Sequence, residues 1–307
     1  MNTNFSARFC RKCLISSMSV DKMIKFANMI IPDYSIFIQK KFPRGYAING
    51  QDAADRITKD MLQEGKYVDF VELLIRINDK GFMGHKYTLR GLDDVINDVI
   101  QAGYNLDHAT AQFFEDQNQN ITRNWGRLLE GDERLVAVLR LDIAGNTLLV
   151  KENPKHLIDK AYGDLRTIIY EAVTSRLGRL WIWEGDGALG VFMLANYSSM
   201  AIYAGIEILN EMFIYNKIKN PLKSEIKLRI AIHSGDLTYT NDNTKCNKME
   251  IIRKATILES KAAIPNSLVI SESLALSQNQ ELLNIFSNTK AYDSEKYRIY
   301  QVGIDKR

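Results

Sequence analysis

Leu135-Val-Ala-Val-Leu-Arg-Leu-Asp142, running into Ile143-Ala-Gly-Asn-Thr147, is the stretch that decides the fold. It is short, rich in Val and Leu, and bounded by Gly131 and Gly145, so it reads as a buried strand. Working outward, Leu157–Leu177 has the spacing of an amphipathic helix, with Pro154 just ahead of it. Arg179–Trp183 and Leu189–Leu194 are short strands around Glu184-Gly-Asp-Gly187, a hairpin signal. Ser198–Ile218 is a second long helix, Ile226–His233 a strand and Met249–Ala263 a helix, with further strands at Leu268–Ile270 and Tyr297–Val302. The order β-α-β-β-α-β predicts an α+β, ferredoxin-like unit over residues 131–307. Such a unit carries both helices on one face of an open sheet and leaves the other face for a ligand or partner.

Upstream the pattern changes. Residues 1–18 are polar and patternless and are expected to be loose. Residues 19–115 carry helical spacing at Asp21–Gln39, Ala53–Leu62, Tyr67–Ile77 and Leu89–Ala102, without strand-like alternation. They predict an all-α regulatory or assembly domain, followed by a polar linker at 116–130. Two domains suit 307 residues, because single cores rarely grow past ~250–300. A composition of 46% hydrophobic and 25% charged residues, with five prolines, argues against disorder and fibrous repeats. The net charge of +3 is too weak to make a nucleic acid the main partner. Three cysteines make no disulfide framework, and the single Cys10/Cys13 pair lacks the second ligand pair that a zinc site needs. No window approaches a membrane span of ~18–20 apolar residues or a signal peptide. A cytoplasmic protein with no membrane partner is expected.

Two carboxylates stand out by position. Asp142 ends the first strand, and Asp186 sits at the tip of the hairpin that neighbours it in a ferredoxin-like sheet. Paired carboxylates repel unless a cation neutralises them. Mg²⁺ or Mn²⁺ suits oxygen ligands and keeps substrate phosphates as further ligands. The turn Ala144-Gly-Asn-Thr147 offers backbone N–H groups to a phosphate. Alternatively, both aspartates merely terminate strands in turns, as Asp commonly does.

Leu141-Asp-Ile-Ala-Gly-Asn-Thr147 resembles the Asp-Ile-x-Gly-Phe-Thr signature of the class III nucleotidyl cyclases, the adenylate/guanylate cyclase family. Glu184-Gly-Asp-Gly-Ala-Leu-Gly-Val-Phe192 resembles that family's hairpin, and Leu228-Arg-Ile-Ala-Ile-His-Ser-Gly235 its Arg-Ile-Gly-Ile-His-x-Gly strand. Ala255-Thr-Ile-Leu-Glu-Ser-Lys-Ala262 resembles the helix that follows. The four segments keep family order across residues 134–303. The resemblance implies that Asp142, Asp186 and the Ile143 carbonyl hold two Mg²⁺ or Mn²⁺ ions per site. It also implies attack of the ribose 3′-oxygen on the α-phosphorus, loss of pyrophosphate, and a homodimer with shared sites.

Departures from the family pattern carry equal information. Asn146 replaces the signature Phe. The helix positions that hold the family's Asn and transition-state Arg are Arg253 and Ile257 here, so Arg253, one turn earlier, is the candidate substitute; the alternative is a solvated arginine. Lys296 stands near the family's late lysine. Purine cyclases place Lys or Glu four residues before the hairpin aspartate. That position is Ile182, flanked by Trp181 and Trp183, and Ile cannot hydrogen-bond a base edge. Arg140, on the same strand face as Asp142, would find acceptors in the carbonyls of uracil. The alternatives are that Arg140 pairs with Glu184 and that the two tryptophans are core residues. A stand-alone cyclase without purine readers resembles the Pycsar-type pyrimidine cyclases of bacterial anti-phage defence. That resemblance implies a pyrimidine nucleotide as substrate, UTP first and CTP second, and a cyclic nucleotide that reaches its effector without direct contact. A conventional adenylate/guanylate cyclase, or a degenerate domain that only binds nucleotide, is the alternative.

Overall fold

The computed structural model describes residues 5–35, 38, 42–43, 47–116, 122–287, 289–292 and 295–302. The chain divides into two compact units, Met1–Arg127 and Leu128–Arg307.

In the first unit, helices α1 (Ala7–Ser17), α2 (Val20–Asn28), α3 (Gly50–Gln63), α4 (Tyr67–Lys80) and α5 (Leu92–Gln101) share one core. The loose segment expected over 1–18 is corrected by α1, whose Cys10, Cys13 and Leu14 are fully buried. Those three residues fall on one helical stripe, so burial orders a segment whose polar residues had masked the spacing. Burial also pushes the Cys10 thiol up to about 12, so it stays protonated and unreactive. The unit is not purely helical, because Tyr104–Asp107 (β1) pairs antiparallel with Gln112–Glu115 (β2). The expected linker is corrected in part. Residues 117–121 lie outside the described ones, but Trp125 is fully buried. Arg127 donates to Glu72 Oε1 (2.9 Å) and to the Phe113 carbonyl (2.8 Å), and also pairs with Asp69. This network ties the hairpin to α4. Helix α3 begins at Asn49, whose side chain accepts from the N–H groups of Gln51 and Asp52 at 2.9 Å each. Asn49→Ala is therefore expected to lower the unfolding free energy by about 1 kcal/mol, read by denaturant titration. No change would mean that other caps hold this helix end.

The second unit is built on a seven-stranded sheet: β3 (Glu133–Ile143), β4 (Arg179–Glu184), β5 (Gly187–Phe192), β6 (Leu228–Thr238), β7 (Ser267–Ser271), β8 (Lys290–Tyr292) and β9 (Glu295–Gln301). The spatial order is β4-β5-β3-β6-β7-β9-β8. The first four positions, with every neighbour antiparallel, are the ferredoxin-like arrangement that the sequence predicts. Helices α6 (Asn146–Glu152), α7 (Lys155–Thr174) and α8 (Tyr197–Ile218) follow β3 and β5. Leu139, Leu141, Ile143, Leu228, Ile230 and Ile232 point to the helix side and pack with Leu165, Ile169, Ile202 and Ile208. Each such aliphatic side chain contributes about 1.5–3 kcal/mol by leaving water. The second face of the sheet is not free, as the sequence had suggested. After the short α9 (Asn243–Asn247), helix α10 (Glu250–Lys261) lays Leu258 on it against Ala231 and Val269. The short helices α11 (Glu272–Ala275) and α12 (Gln280–Leu283) complete the unit. Among the described residues, no helix is long and apolar enough to cross a membrane.

Candidate active site

Strand alternation sorts the candidate residues onto two faces. Leu139 and Leu141 face α7 and α8, so Arg140 and Asp142 face the α10 side. Register across the sheet then sets Asp142 opposite Arg229, and Arg140 between Leu189 on one side and Ala231 on the other. Ile182 lies beyond Leu189, which places it on the Arg140 face. The two chemically informative residues of β3 and the position lacking a purine reader therefore share one surface.

A short chain of charges runs over that surface. Arg229 Nη2 donates to Asp142 Oδ2 at 2.5 Å, and its Nε lies 2.9 Å from Glu259 Oε1 on α10. Glu259 is only 5% exposed; burial pushes its carboxyl up, and Arg229 opposes that shift. Asp142, Arg140 and Asp186 also act on Glu259, so all three reach it electrostatically. The Tyr162 phenol on α7 is raised by burial first and then by the charges of Asp186 and Asp142. Both aspartates thus lie within Coulombic reach of the same two groups. Arg229, Glu259 and Tyr162 escaped the sequence reading. The available signals were an Arg two residues before Ala231 on an alternating strand, and a charge on the apolar stripe of Ile252, Ala255 and Leu258.

Two glycines shape the turns that carry the aspartates. Gly185 has φ +58° and precedes Asp186 in a two-residue hairpin loop closed by Glu184 and Gly187. Gly145 has φ +74° at the start of α6, a conformation that L side chains rarely adopt. Within that turn the Ala144 N–H is committed to the Lys227 carbonyl at 2.8 Å, which removes Ala144 from the expected phosphate cradle. Asn146 Oδ1 accepts from the Tyr162 hydroxyl, and Thr147 is exposed. The Ile143 side chain is buried in the helix-side core.

The other candidates are placed less favourably. Trp183 is opposite Ala188, which is opposite Leu141, so its indole points toward α7, away from Arg140. The expected base pocket flanked by both tryptophans is therefore corrected. Trp181 sits at a register shift between Leu180 and Ile182 and is buried edge-on against Tyr239, with ring centroids 5.6 Å apart. Lys296 is exposed and alternates with Tyr297, whose partner Ser271 lies in register with the Asp142 face, so it too falls on the opposite side. Arg253 and Ile257 occupy the exposed face of α10. Among the described residues, Arg253 makes no hydrogen bond or ion pair with either aspartate of its own chain. Arg140 Nε is buried and finds no hydrogen-bond partner among the described residues.

No family model matches the chain, and no curated protein matches it. Among solved structures it is similar to the monomeric guanylyl cyclase domain of the RhoGC fusion protein from the aquatic fungus Blastocladiella emersonii. That match has 18% identity, covers 56% of this chain and 99% of that one, and has a TM-score of 0.46. It is also similar to the adenylyl cyclase CyaB from P. aeruginosa (20%, 58% and 98%, TM-score 0.46). A third is the adenylate/guanylate cyclase/hydrolase from Silicibacter pomeroyi (22%, 57% and 99%, TM-score 0.46).

The donors around the two aspartates suit a hard cation. Asp142 and Asp186 offer carboxylate oxygens, and Asp142 keeps one oxygen outside its pair with Arg229. Among the described residues, no cluster of three or more His, Cys, Asp or Glu side chains stands ready to enclose a metal. Carboxylate oxygens are ligands of the kind that Mg²⁺ or Mn²⁺ takes, and such ions complete their shells with water and phosphate oxygens.

Proposed function

We propose that the chain is a nucleotidyl cyclase that converts UTP to 3′,5′-cyclic UMP and pyrophosphate as a homodimer. We further propose that its product is the second messenger of a Pycsar-type anti-phage response. The observation that carries this reading is the pairing of Arg140 with Asp142 on one sheet face. A buried guanidinium nitrogen there finds no partner among the described residues, beside a carboxylate suited to a metal. A desolvated donor costs free energy until an acceptor arrives, and a uracil carbonyl is such an acceptor. The apolar neighbours Ile182, Leu189 and Ala231 offer a purine edge no hydrogen bonds from their side chains.

Asp142, Asp186 and the Ile143 carbonyl would hold two divalent cations. When bound, these would acidify the ribose 3′-hydroxyl and neutralise the triphosphate. Arg229 and Glu259 orient the Asp142 carboxylate, and the Tyr162 hydroxyl holds Asn146 in the following turn. Backbone N–H groups of Gly145, Asn146 and Thr147 meet the phosphates. The 3′-oxygen forms its bond to the α-phosphorus as the bond to pyrophosphate breaks, and the hydroxyl proton leaves to solvent. The helical first unit serves regulation or assembly.

Purified protein with Mn²⁺ and each labelled NTP in turn tests the reading, with products separated by chromatography. Cyclic UMP is expected as the main product. A product from ATP or GTP alone would restore a conventional purine cyclase. A second reading, a degenerate domain that binds nucleotide without turnover, is favoured by Ile257 at the transition-state position and by Arg229 on Asp142. Binding of nucleotides with no product from any of them would establish it.

Assembly has its own expected outcome. Arg253 is exposed and separate from its own chain's aspartates, so in the proposed dimer it serves the partner's site. Asp142→Ala and Arg253→Ala chains should each be inactive alone. Mixed equally with free exchange, they should regain about a quarter of wild-type activity, because half the dimers hold one intact site. No recovery in verified heterodimers would show that the site is not shared.

A further inference from the structure

Trp183, removed from the Asp142 face by strand alternation, packs against the helix-side core but is only partly buried by it. Its half-buried indole lines an open surface groove of about 510 Å³ with Arg166, Thr167 and Tyr170 of α7 and Leu180 of β4. The Arg166 guanidinium sits 5.1 Å from the centre of the Trp183 ring. Arg166 forms no ion pair with a carboxylate among the described residues, and the positions three and four away on α7 are Tyr162, Gly163, Ile169 and Tyr170. A half-buried indole, an exposed phenol and a guanidinium that lies over the indole and pairs with no carboxylate among the described residues therefore converge on one open groove. An aromatic platform provides stacking for a base, and a guanidinium meets a phosphate in its own plane.

The geometry points to a second nucleotide site here, on the sheet face opposite Asp142, taking a planar base that carries a phosphate. Its phosphate draws Arg166 off the Trp183 ring that the guanidinium covers, and its base takes that ring and Tyr170. The indole also reports to the catalytic hairpin, because Trp183 Nε1 donates to the Gly185 carbonyl at 3.3 Å, one residue before Asp186. A nucleotide on Trp183 would thereby bias the loop that carries Asp186, which gives the site a regulatory output. Nucleotide binding at this site does not depend on turnover, whereas its regulatory output rests on the proposed cyclisation.

The test is isothermal titration calorimetry on the full chain in excess EDTA, with 3′,5′-cyclic UMP and UTP as probes and inorganic phosphate as control. Saturable binding of at least one nucleotide is expected in the wild type and in Asp142→Ala, with none from phosphate. Arg166→Ala should weaken it at least tenfold and Arg166→Glu should abolish it, since Arg166 is exposed and its replacement leaves the core untouched. Trp183→Leu, with melting verified as cooperative, should lose it as well. Tighter binding of the cyclic nucleotide would make the site a product sensor, and tighter binding of UTP a substrate sensor. Absence of saturable binding, equal affinity in Arg166→Glu, or loss in Asp142→Ala would overturn the second site.

Discussion

Asp186→Ala should abolish cyclisation while leaving the second unit folded. Asp186 is half-buried in a two-residue turn and, among the described residues, donates or accepts no side-chain hydrogen bond that the fold relies on. Its removal should therefore change stability by no more than about 0.5 kcal/mol. Its loss from the proposed metal site would forfeit several kcal/mol of charge stabilisation. At 1.36 kcal/mol per tenfold, that is a fall in kcat of roughly a thousandfold or more. Asp142 makes a less clean test. Asp142→Ala also strips Arg229 of its 2.5 Å partner and leaves that cation beside the buried Glu259. Asp142→Asn keeps the shape and should be comparably inactive. EDTA should silence the wild type, and Mn²⁺ should restore it. Near wild-type turnover by Asp186→Ala, measured with saturating UTP and Mn²⁺, would remove the two-carboxylate metal site from consideration.

Arg140→Ala should cut kcat/KM for UTP by roughly 10–100-fold, the size expected when a buried polar contact to the base is lost. The fall should be larger for UTP than for ATP or GTP, since only the uracil carbonyls are proposed to meet this guanidinium. Ile182 shares the face, so its truncation should raise the relative use of purines. Trp183 lies on the other face, and substituting it should leave the ranking of the four NTPs unchanged. The measurement is kcat/KM for all four NTPs in each variant. An equal fall for every NTP in Arg140→Ala would make Arg140 structural and move base selection elsewhere.

Much of this architecture follows from local pattern. The Val- and Leu-rich run ending at Asp142, the Gly-Asp-Gly hairpin and the two long amphipathic segments set the β-α-β-β-α-β order, because period and turn chemistry act over a few residues at a time. The same local rule put Arg140 and Asp142 on one side of β3. Helix α1 was missed because its buried Cys10, Cys13 and Leu14 are few among polar neighbours, and only packing against the other helices decides their burial. Which residues of different strands share a face is also a tertiary matter. Alternation is defined within one strand, whereas the match between strands depends on register. Here a register shift between Leu180 and Ile182 turns Ile182 toward Arg140 and Trp183 toward α7. The chain of charges from Asp142 through Arg229 to Glu259 likewise joins residues separated by 87 positions and then by a helix crossing. The sequence by itself determined the β-α-β-β-α-β order of the second unit and singled out the two aspartates. Cross-strand register and the seating of α10 determined their partners, because those contacts arise only when distant segments hydrogen-bond and pack together.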